Sequence, residues 1–255
     1  MRGSRNILVI AKALRLIEAL AQADSSVRLG ELARAVGQPK TTVFRILATL
    51  TQEGYVQHAP GSDAYELTDR INLLTRNRAE ETVRQTARPF LGRLLARFEQ
   101  TVNLGVLDRN QIRYIEIQEG LRSVHSSPTV NTFAPVHCTA LGKVALAFLP
   151  PGEARRILEA NAPLQKFTER TITSARGLAR ELSRIRKQGF AVDHEEMERG
   201  EQCVGAPILG SNGELLAAFS ISGPVSVLRG KTLREAAQAL KQCTQTISSQ
   251  MGYRK

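Results

Sequence analysis

One stretch of the sequence, residues 29–55, most constrains what this chain can fold into. It reads LGELARAVGQPKTTVFRILATLTQEGY, and it predicts two short helices joined by a turn at Gly37-Gln38-Pro39. Pro39 suits a first helical turn because its φ is already fixed and its missing N–H would have no helical partner there. Apolar residues then recur with helical spacing, which predicts one buried stripe made of Val43, Ile46, Leu47 and Leu50.

The opposite face of the second helix is small and polar, with Arg45 as its only charge. A solvated helix usually carries Glu and Lys there, whereas these side chains can donate to phosphates and base edges. The pattern predicts a helix-turn-helix whose second helix reads DNA, with an ordinary amphipathic helical hairpin as the alternative. The predicted DNA contacts are Lys40, Thr41, Thr42, Arg45 and Thr49. For Thr41, capping of the helix is the alternative role.

Two short strands are predicted directly after this helical pair. Residues 55–58 and 64–67 flank a Pro-Gly-Ser-Asp turn, which is typical of a β-hairpin. A further helix is predicted over residues 10–23. Three helices followed by a hairpin indicate a winged helix-turn-helix, because a bare helical pair would not predict a wing.

Length and charge are consistent with two domains and a nucleic-acid partner. The chain has 255 residues and a formal net charge of +11, which divides into +4 over residues 1–78 and +7 over residues 79–255. Because the excess is not concentrated on the DNA-reading segment, charge supports that function only weakly. The three cysteines lack metal-binding spacing, and no apolar run reaches the length of a signal peptide core or a membrane span. We expect a cytoplasmic protein.

The remainder of the chain predicts a linker and a second domain. Residues 71–88 are polar and free of Gly and Pro, which indicates a helical linker. The sequence leaves two alternatives for it: a helix whose Ile71, Leu74, Val83 and Ala87 pack against a partner copy, or a solvated connector. The linker is expected to run into a longer helix over residues 89–100, which begins the second domain. The predicted strands are 101–107, 112–117, 190–193, 204–209 and 214–222. The predicted helices are 139–149, 152–160, 174–189 and 229–251, and residues 124–136 are expected to form a loop.

Hairpins with helices gathered between them indicate an α+β class with an antiparallel sheet. The predicted domains are a winged helix-turn-helix over 1–70, a linker helix over 71–88 and a second domain over 89–255.

Several blocks of the sequence together resemble the isocitrate lyase regulator (IclR) family. They are ELARAVGQPKTTVFRILATLTQEGYV, PVHCTALGKV from Pro135, F-T-x-R-T-I-T from Phe167, GFAVDHEE from Gly189 and CVGAPI from Cys203. The likeness covers nearly the whole chain in order. It implies a bacterial transcription regulator, either repressor or activator, with a C-terminal GAF-like effector-binding domain. It also implies homodimers, often paired into tetramers, that bind palindromic operator DNA.

The resemblance also implies the residues of an effector pocket. They are Leu141 and Gly142 at the start of the A-L-G-K helix, with Asp193, Cys203, Ser220 and Ser222. Residues 131–134 depart from the family pattern in a loop that is expected to border the pocket.

Elementary chemistry supports the same region. A helix opening at Thr139 presents free N–H groups to an anion, and Ser220 and Ser222 share one face of a strand. A small carboxylate bearing an oxo or hydroxyl group fits this set. In the alternative, both serines face solvent and Cys203 is ordinary core.

Other functions have weaker sequence support. A DNA-binding protein without a ligand is one alternative. Cys203 with His194 or His137 suggests a nucleophilic enzyme, but no motif places a third, orienting group. A metal sensor built from His137, Cys138, Asp193 and His194 lacks ligand spacing. We expect no enzymatic activity, no cofactor and no metal.

Overall fold

The computed structural model describes residues 7–23, 25–68, 70–120 and 128–254, with the backbone alone over 72–78. It divides into two compact units, Met1–Arg78 and Ala79–Lys255. This division lies within the predicted linker, while the predicted boundaries at residues 70 and 88 stay predictions. Of the loop predicted over residues 124–136, residues 124–127 lie outside the described residues.

The first unit has three helices and a two-stranded antiparallel hairpin. They are α1 (Leu8–Ala21), α2 (Leu29–Ala35), α3 (Lys40–Gln52), β1 (Val56–His58) and β2 (Tyr65–Leu67). Gly37 lies between α2 and α3 with a φ of 62°, a left-handed conformation that favours glycine. The predicted winged helix-turn-helix is confirmed, with helix ends displaced by one or two residues.

All helices and strands of the first unit contribute to one apolar core. The apolar stripe of α3 is buried, and it packs with Leu16 and Leu20 of α1, Leu32 of α2, and Val56 and Tyr65 of the hairpin. Because α1 and the hairpin complete this core, the alternative of an isolated helical hairpin is wrong.

Helix α4 (Arg70–Phe98) runs through the predicted linker and through Pro89. The predicted linker and the helix after it are therefore one continuous helix, which ends at Phe98 and not at residue 100. A proline inside a helix removes one backbone hydrogen bond, but buried side chains one and two turns apart hold α4 against the second unit. These residues are Val83, Ala87, Leu91 and Leu94. Val83 and Ala87 thus belong to the core of their own unit, not to a solvated connector. Ile71 is half-buried, and the side chain of Leu74 lies outside the described part.

The second unit contains a six-stranded antiparallel sheet in the order β5-β4-β3-β8-β7-β6. Its strands are β3 (Thr101–Asp108), β4 (Gln111–Gln118), β5 (Phe133–Ala134), β6 (Ala191–His194), β7 (Glu201–Leu209) and β8 (Leu215–Pro224). The turn between β3 and β4 has two residues, Arg109 and Asn110, both with positive φ, instead of the predicted four. The short strand β5 lies within the segment predicted as a loop.

Helices cover both faces of this sheet. On one face, α4 and α8 (Gly230–Gln250) pack on alternate strand residues such as Leu104, Val204 and Phe219. On the other face lie α5 (Ala140–Phe148), α6 (Pro151–Ala160) and α7 (Ala175–Gln188). The predicted α+β class with helices on an antiparallel sheet is confirmed. Among the described helices, none combines the length and apolarity that a membrane crossing requires.

Candidate functional site

A cavity of about 210 Å³ lies where the start of α5 meets the sheet. Four strands and the residues that open α5 contribute most of its walls. The polar and small residues that line it include Thr101, Asn103, Thr139, Ala140, Leu141, Asp193, Cys203, Ser220 and Ser222. Tyr114 and Phe133 add aromatic surface. Five of the six predicted effector residues therefore lie together, although they are up to 81 positions apart in the chain.

Strand register explains why these side chains meet. Thr101 of β3 is opposite Ser222 of β8, Ser222 is opposite Cys203 of β7, and Cys203 is opposite Asp193 of β6. The four residues form one row across four strands. Because side chains of a strand alternate between faces, the row lies opposite the large apolar core on the α4 and α8 side.

A second row places a buried amide beside the two serines. Asn103 is opposite Ser220, and its Nδ2 donates to Ser222 Oγ at 3.0 Å and to Ser220 Oγ at 3.4 Å. Its Oδ1 is buried and has no hydrogen-bond partner among the described residues. A buried acceptor of this kind is satisfied when a ligand donates to it.

The serines and Asn103 are at most 7% exposed, so the alternative in which the serines face solvent is wrong. Asn103 is not among the residues predicted from the sequence. The sequence feature that could have identified Asn103 is its position in β3 between the buried apolar residues Val102 and Leu104, because alternation along a strand places it on the opposite face.

The start of α5 is held by Thr139. Its Oγ1 accepts from the Gly142 N–H at 3.0 Å and donates to the Pro135 carbonyl at 2.7 Å. Gly142 does not line the described cavity; a Cβ there would lie 2.4 Å from the Val136 backbone. Gly142 therefore lets α5 approach the preceding chain closely, while Ala140 and Leu141 reach the cavity.

Asp193 is a buried acidic residue that lines the cavity. Its Oδ1 accepts from the Glu196 N–H at 2.7 Å. Burial raises the pKa of Asp193 to about 7, with the nearby charges of Glu196 and Glu201 adding to the rise and Lys143 opposing it. Asp193 therefore exchanges its proton near neutral pH.

Lys143, a fully buried lysine, contacts residues on both sides of Asp193 in the chain. Lys143 Nζ donates to the Val192 carbonyl at 2.6 Å and to Glu181 at 3.2 Å, and it also contacts Glu196. A buried ammonium group is tolerated only with such partners. The lysine was not predicted as a site residue. Its signal in the sequence is that it is the only charge within the apolar run of residues 140–149.

The thiols near the cavity are poorly suited to nucleophilic chemistry. Burial, and then the charge of Asp193, raises the pKa of Cys203 well above its ordinary value. Burial likewise raises the pKa of Cys138 to about 12. Both thiols are protonated at neutral pH, and the thiolate is the reactive form. Within the described residues, no group of three or more His, Cys, Asp or Glu is arranged to hold a metal ion.

The predicted DNA-contacting residues all lie on α3. Lys40, Thr41, Arg45 and Thr49 are exposed, and Thr42 is half-buried. The N-cap of α3 is Pro39, so Thr41 lies inside the helix and does not occupy the capping position.

A shallow groove separates part of this surface from α1. Thr42, Arg45 and Thr49 line it together with Val9 and Ile10 of α1. The Thr49 hydroxyl donates to the Arg45 carbonyl at 3.1 Å, so its oxygen is left as an acceptor. Phe44, which was not among the predicted contacts, also lies exposed on α3.

Comparison with known proteins identifies both units. A family profile described as "IclR helix-turn-helix domain" matches residues 9–60, and one described as "Bacterial transcriptional regulator IclR C-terminal" matches residues 78–249. The HTH-type transcriptional regulator KdgR of Escherichia coli is 31% identical over 245 residues, covering 96% of this chain and 92% of KdgR. The transcriptional repressor IclR of E. coli is 31% identical over 227 residues, covering 85% of this chain and 80% of the repressor.

Solved structures of IclR-family proteins are similar to this chain. The IclR protein of Thermotoga maritima aligns with a TM-score of 0.66 and 29% identity, covering 97% of this chain and all (100%) of that one. The C-terminal domain of E. coli KdgR aligns with a TM-score of 0.62 and 32% identity, covering 68% of this chain and 99% of that domain.

The raised pKa of Asp193 predicts a pH-dependent stability. A carboxyl whose pKa rises from 3.8 to about 7 on folding stabilises the folded state below pH 4, and this contribution is lost as pH rises through 7. Asp193→Asn cannot ionise and keeps an acceptor for the Glu196 N–H. Relative to wild type, we expect it to gain free energy of unfolding from pH 4.5 to pH 8, reaching on the order of 2 kcal/mol.

Urea unfolding at both pH values measures this difference. The control is Glu159→Gln, at an exposed acidic position of α6, which should show no such gain. Equal differences at the two pH values would mean that Asp193 titrates as an ordinary surface carboxyl.

Proposed function

Because the chain belongs to the IclR family of bacterial transcriptional regulators, with a DNA-binding helix-turn-helix and a C-terminal effector domain, we propose a ligand-controlled operator-binding function. In this proposal α3 binds a palindromic operator, and a small organic acid in the cavity alters that binding. The observation that carries it is the row of polar side chains from four strands that lines a cavity beside the start of α5.

For the DNA half of the function, we assign phosphate contacts to Lys40 and Arg45. Thr41, Thr42 and Thr49 then reach base edges, since hydroxyl groups both donate and accept. The support is that four of these side chains are exposed on α3 and Thr42 is half-buried, while the other face of the helix is fixed in the core. A helix held in this way presents a constant surface to the major groove.

For assembly, we propose a homodimer formed through α1. Five large apolar residues on or next to this helix are more than half exposed, namely Ile7, Leu8, Val9, Ile10 and Leu14, with Leu8 at 71%. Contiguous exposed apolar surface of this kind marks an interface. A two-fold dimer presents two copies of α3 to DNA, and its symmetry is matched by a palindrome.

For the effector half, we place the carboxylate of the ligand at the start of α5 and its oxo or hydroxyl group near Asn103, Ser220 and Ser222. The N–H groups that open a helix attract an anion. The described cavity lining carries three carboxyl groups, Asp193, Glu198 and Glu201, and no basic side chain. Repulsion from these groups keeps a ligand carboxylate at the α5 end of the cavity.

A sensor fits this cavity better than the alternatives. The protonated thiols argue against a nucleophilic enzyme, and the relatives are named as regulators. In a regulator without a ligand, the buried Oδ1 of Asn103 would have no hydrogen-bond donor among the described residues, whereas a bound hydroxyl group would donate to it.

Arg45→Ala tests the DNA half. Loss of one phosphate or base contact should weaken binding to a duplex selected in vitro by the wild-type chain by about 1–3 kcal/mol, and a lost phosphate contact should also lower the salt slope by about one. Fluorescence anisotropy at several salt concentrations measures both. Arg180→Ala, which removes an exposed charge from α7, is the control and should bind as wild type. Unchanged affinity in Arg45→Ala would remove Arg45 from the reading surface.

Leu8→Glu tests the dimer. A charge within the α1 interface should oppose pairing, so the preference for the palindrome over a single half-site should fall about tenfold or more, because the second half-site no longer adds affinity. Titration of both duplexes measures this ratio. Val130→Glu, at a 46% exposed apolar position of the second unit, should keep it. A wild-type ratio in Leu8→Glu would place the dimer interface elsewhere.

A thermal-shift screen of 2-oxo acids, hydroxy acids and sugar acids tests the effector. A binding acid should raise Tm by mass action. Protonated Asp193 repels an anion less and can donate to it, so we expect tighter binding at pH 6 than at pH 8. Ser222→Ala should weaken binding by about 0.5–1.5 kcal/mol. The control is Ser211→Ala, in the exposed β7–β8 turn. Binding that is stronger at pH 8, or unaffected by Ser222→Ala, would contradict this placement.

A further inference from the structure

An exposed aromatic side chain lies on the DNA-reading helix. Phe44 is 54% exposed, and it is absent from the apolar core that holds the other face of α3. It is the only large apolar residue of α3 that is exposed; Val43, Ile46, Leu47 and Leu50 are all buried. Packing within this unit therefore does not account for a phenyl ring at this position.

The neighbours of Phe44 place it within the reading surface. On a helix, residues three and four apart are adjacent, so Thr41 precedes Phe44 and Ala48 follows it on the same side, and both are exposed. Arg45 is the next residue around the helix. The methyl side chain of Ala48 leaves room for a nucleic-acid surface to approach the ring.

We propose that Phe44 reads a thymine in each operator half-site through the 5-methyl group of that base. This inference rests on the proposed operator-binding function of α3. Thymine is the only base that presents an apolar group in the major groove, and Phe is among the side chains that contact it. The ring then loses exposed area against the methyl group, while Arg45 and Thr41 make the polar contacts on either side.

A thymine methyl is a better partner for this ring than a protein surface. The exposed apolar residues of α1 follow one another along the chain, as expected of a protein interface, whereas Phe44 is a single exposed large apolar residue on α3, with exposed Thr41, Arg45 and Ala48 beside it on the helix. A single ring suits a single methyl group, and Thr41 and Arg45 beside it carry groups that bind base edges and phosphates.

Removal of one methyl group from the DNA tests the proposal directly. The full-length chain first selects a duplex from a random pool, and each thymine is then replaced singly by deoxyuridine, which changes only the methyl group. Anisotropy titration of the wild-type chain should find one thymine per half-site whose replacement weakens binding about three- to fivefold. A 5-bromodeoxyuridine at that position restores an apolar group of similar size and should restore affinity.

The protein variants decide which side chain reads the methyl group. Phe44→Ala should bind the thymine duplex about three- to fivefold more weakly than wild type and should bind the thymine and deoxyuridine duplexes equally. Thr51→Ala, at another exposed position of α3, is the matched control and should keep the wild-type ratio between the two duplexes. Because Phe44 lies outside the core, circular dichroism should show an unchanged fold in both variants.

Three outcomes would overturn the inference. In the first, the selected duplex contains no methyl-sensitive thymine; in the second, Phe44→Ala keeps the wild-type ratio. Either result refutes the role of Phe44 and leaves operator binding intact. In the third, the wild-type chain selects no duplex, which refutes the proposed operator binding itself and the role of Phe44 with it.

Discussion

The buried ammonium group of Lys143 is the interaction on which the effector unit depends. It has no exposed surface, so its charge must be met by the Val192 carbonyl and by Glu181 and Glu196. These partners lie on β6, on α7 and in the segment after β6. One side chain of α5 therefore fixes the start of that helix against the sheet edge, and through the Glu196 N–H it also orients Asp193. Loss of either acidic partner would remove one of the three groups that compensate the buried positive charge.

The cavity follows from this arrangement and from strand register. Small residues allow α5 to come close: Gly142 faces the Val136 backbone, and a Cβ on Gly205 would lie 3.1 Å from the Ala140 backbone. The helix opening thus stands over the row from Thr101 to Asp193. The start of α5 and Asp193 therefore both border the cavity.

The two units place their polar residues in different ways. In the first unit, the predicted DNA contacts lie on α3, whose opposite face is an apolar stripe in the core, so their positions follow helical periodicity. In the second unit, the cavity lies between the sheet and α5, so the positions of its lining residues follow the register across strands. Because burial raises the pKa of Asp193 to about 7, the charge of the cavity lining changes near neutral pH.

By itself, the sequence determined the helix-turn-helix, its wing, the α+β class and nearly all element positions, because helical and strand periodicities are local properties of the chain. It also determined which face of α3 is free, and the motifs around Leu141, Asp193, Cys203, Ser220 and Ser222 indicated a pocket. Only the tertiary structure decided that Asn103 joins the two serines, that Gly142 supports the site without lining it, that α4 continues through Pro89, and that Lys143 is buried. Each of these depends on partners distant in the chain, since the free energy of a buried polar group or a close backbone contact is set by what packs against it, which no local pattern encodes.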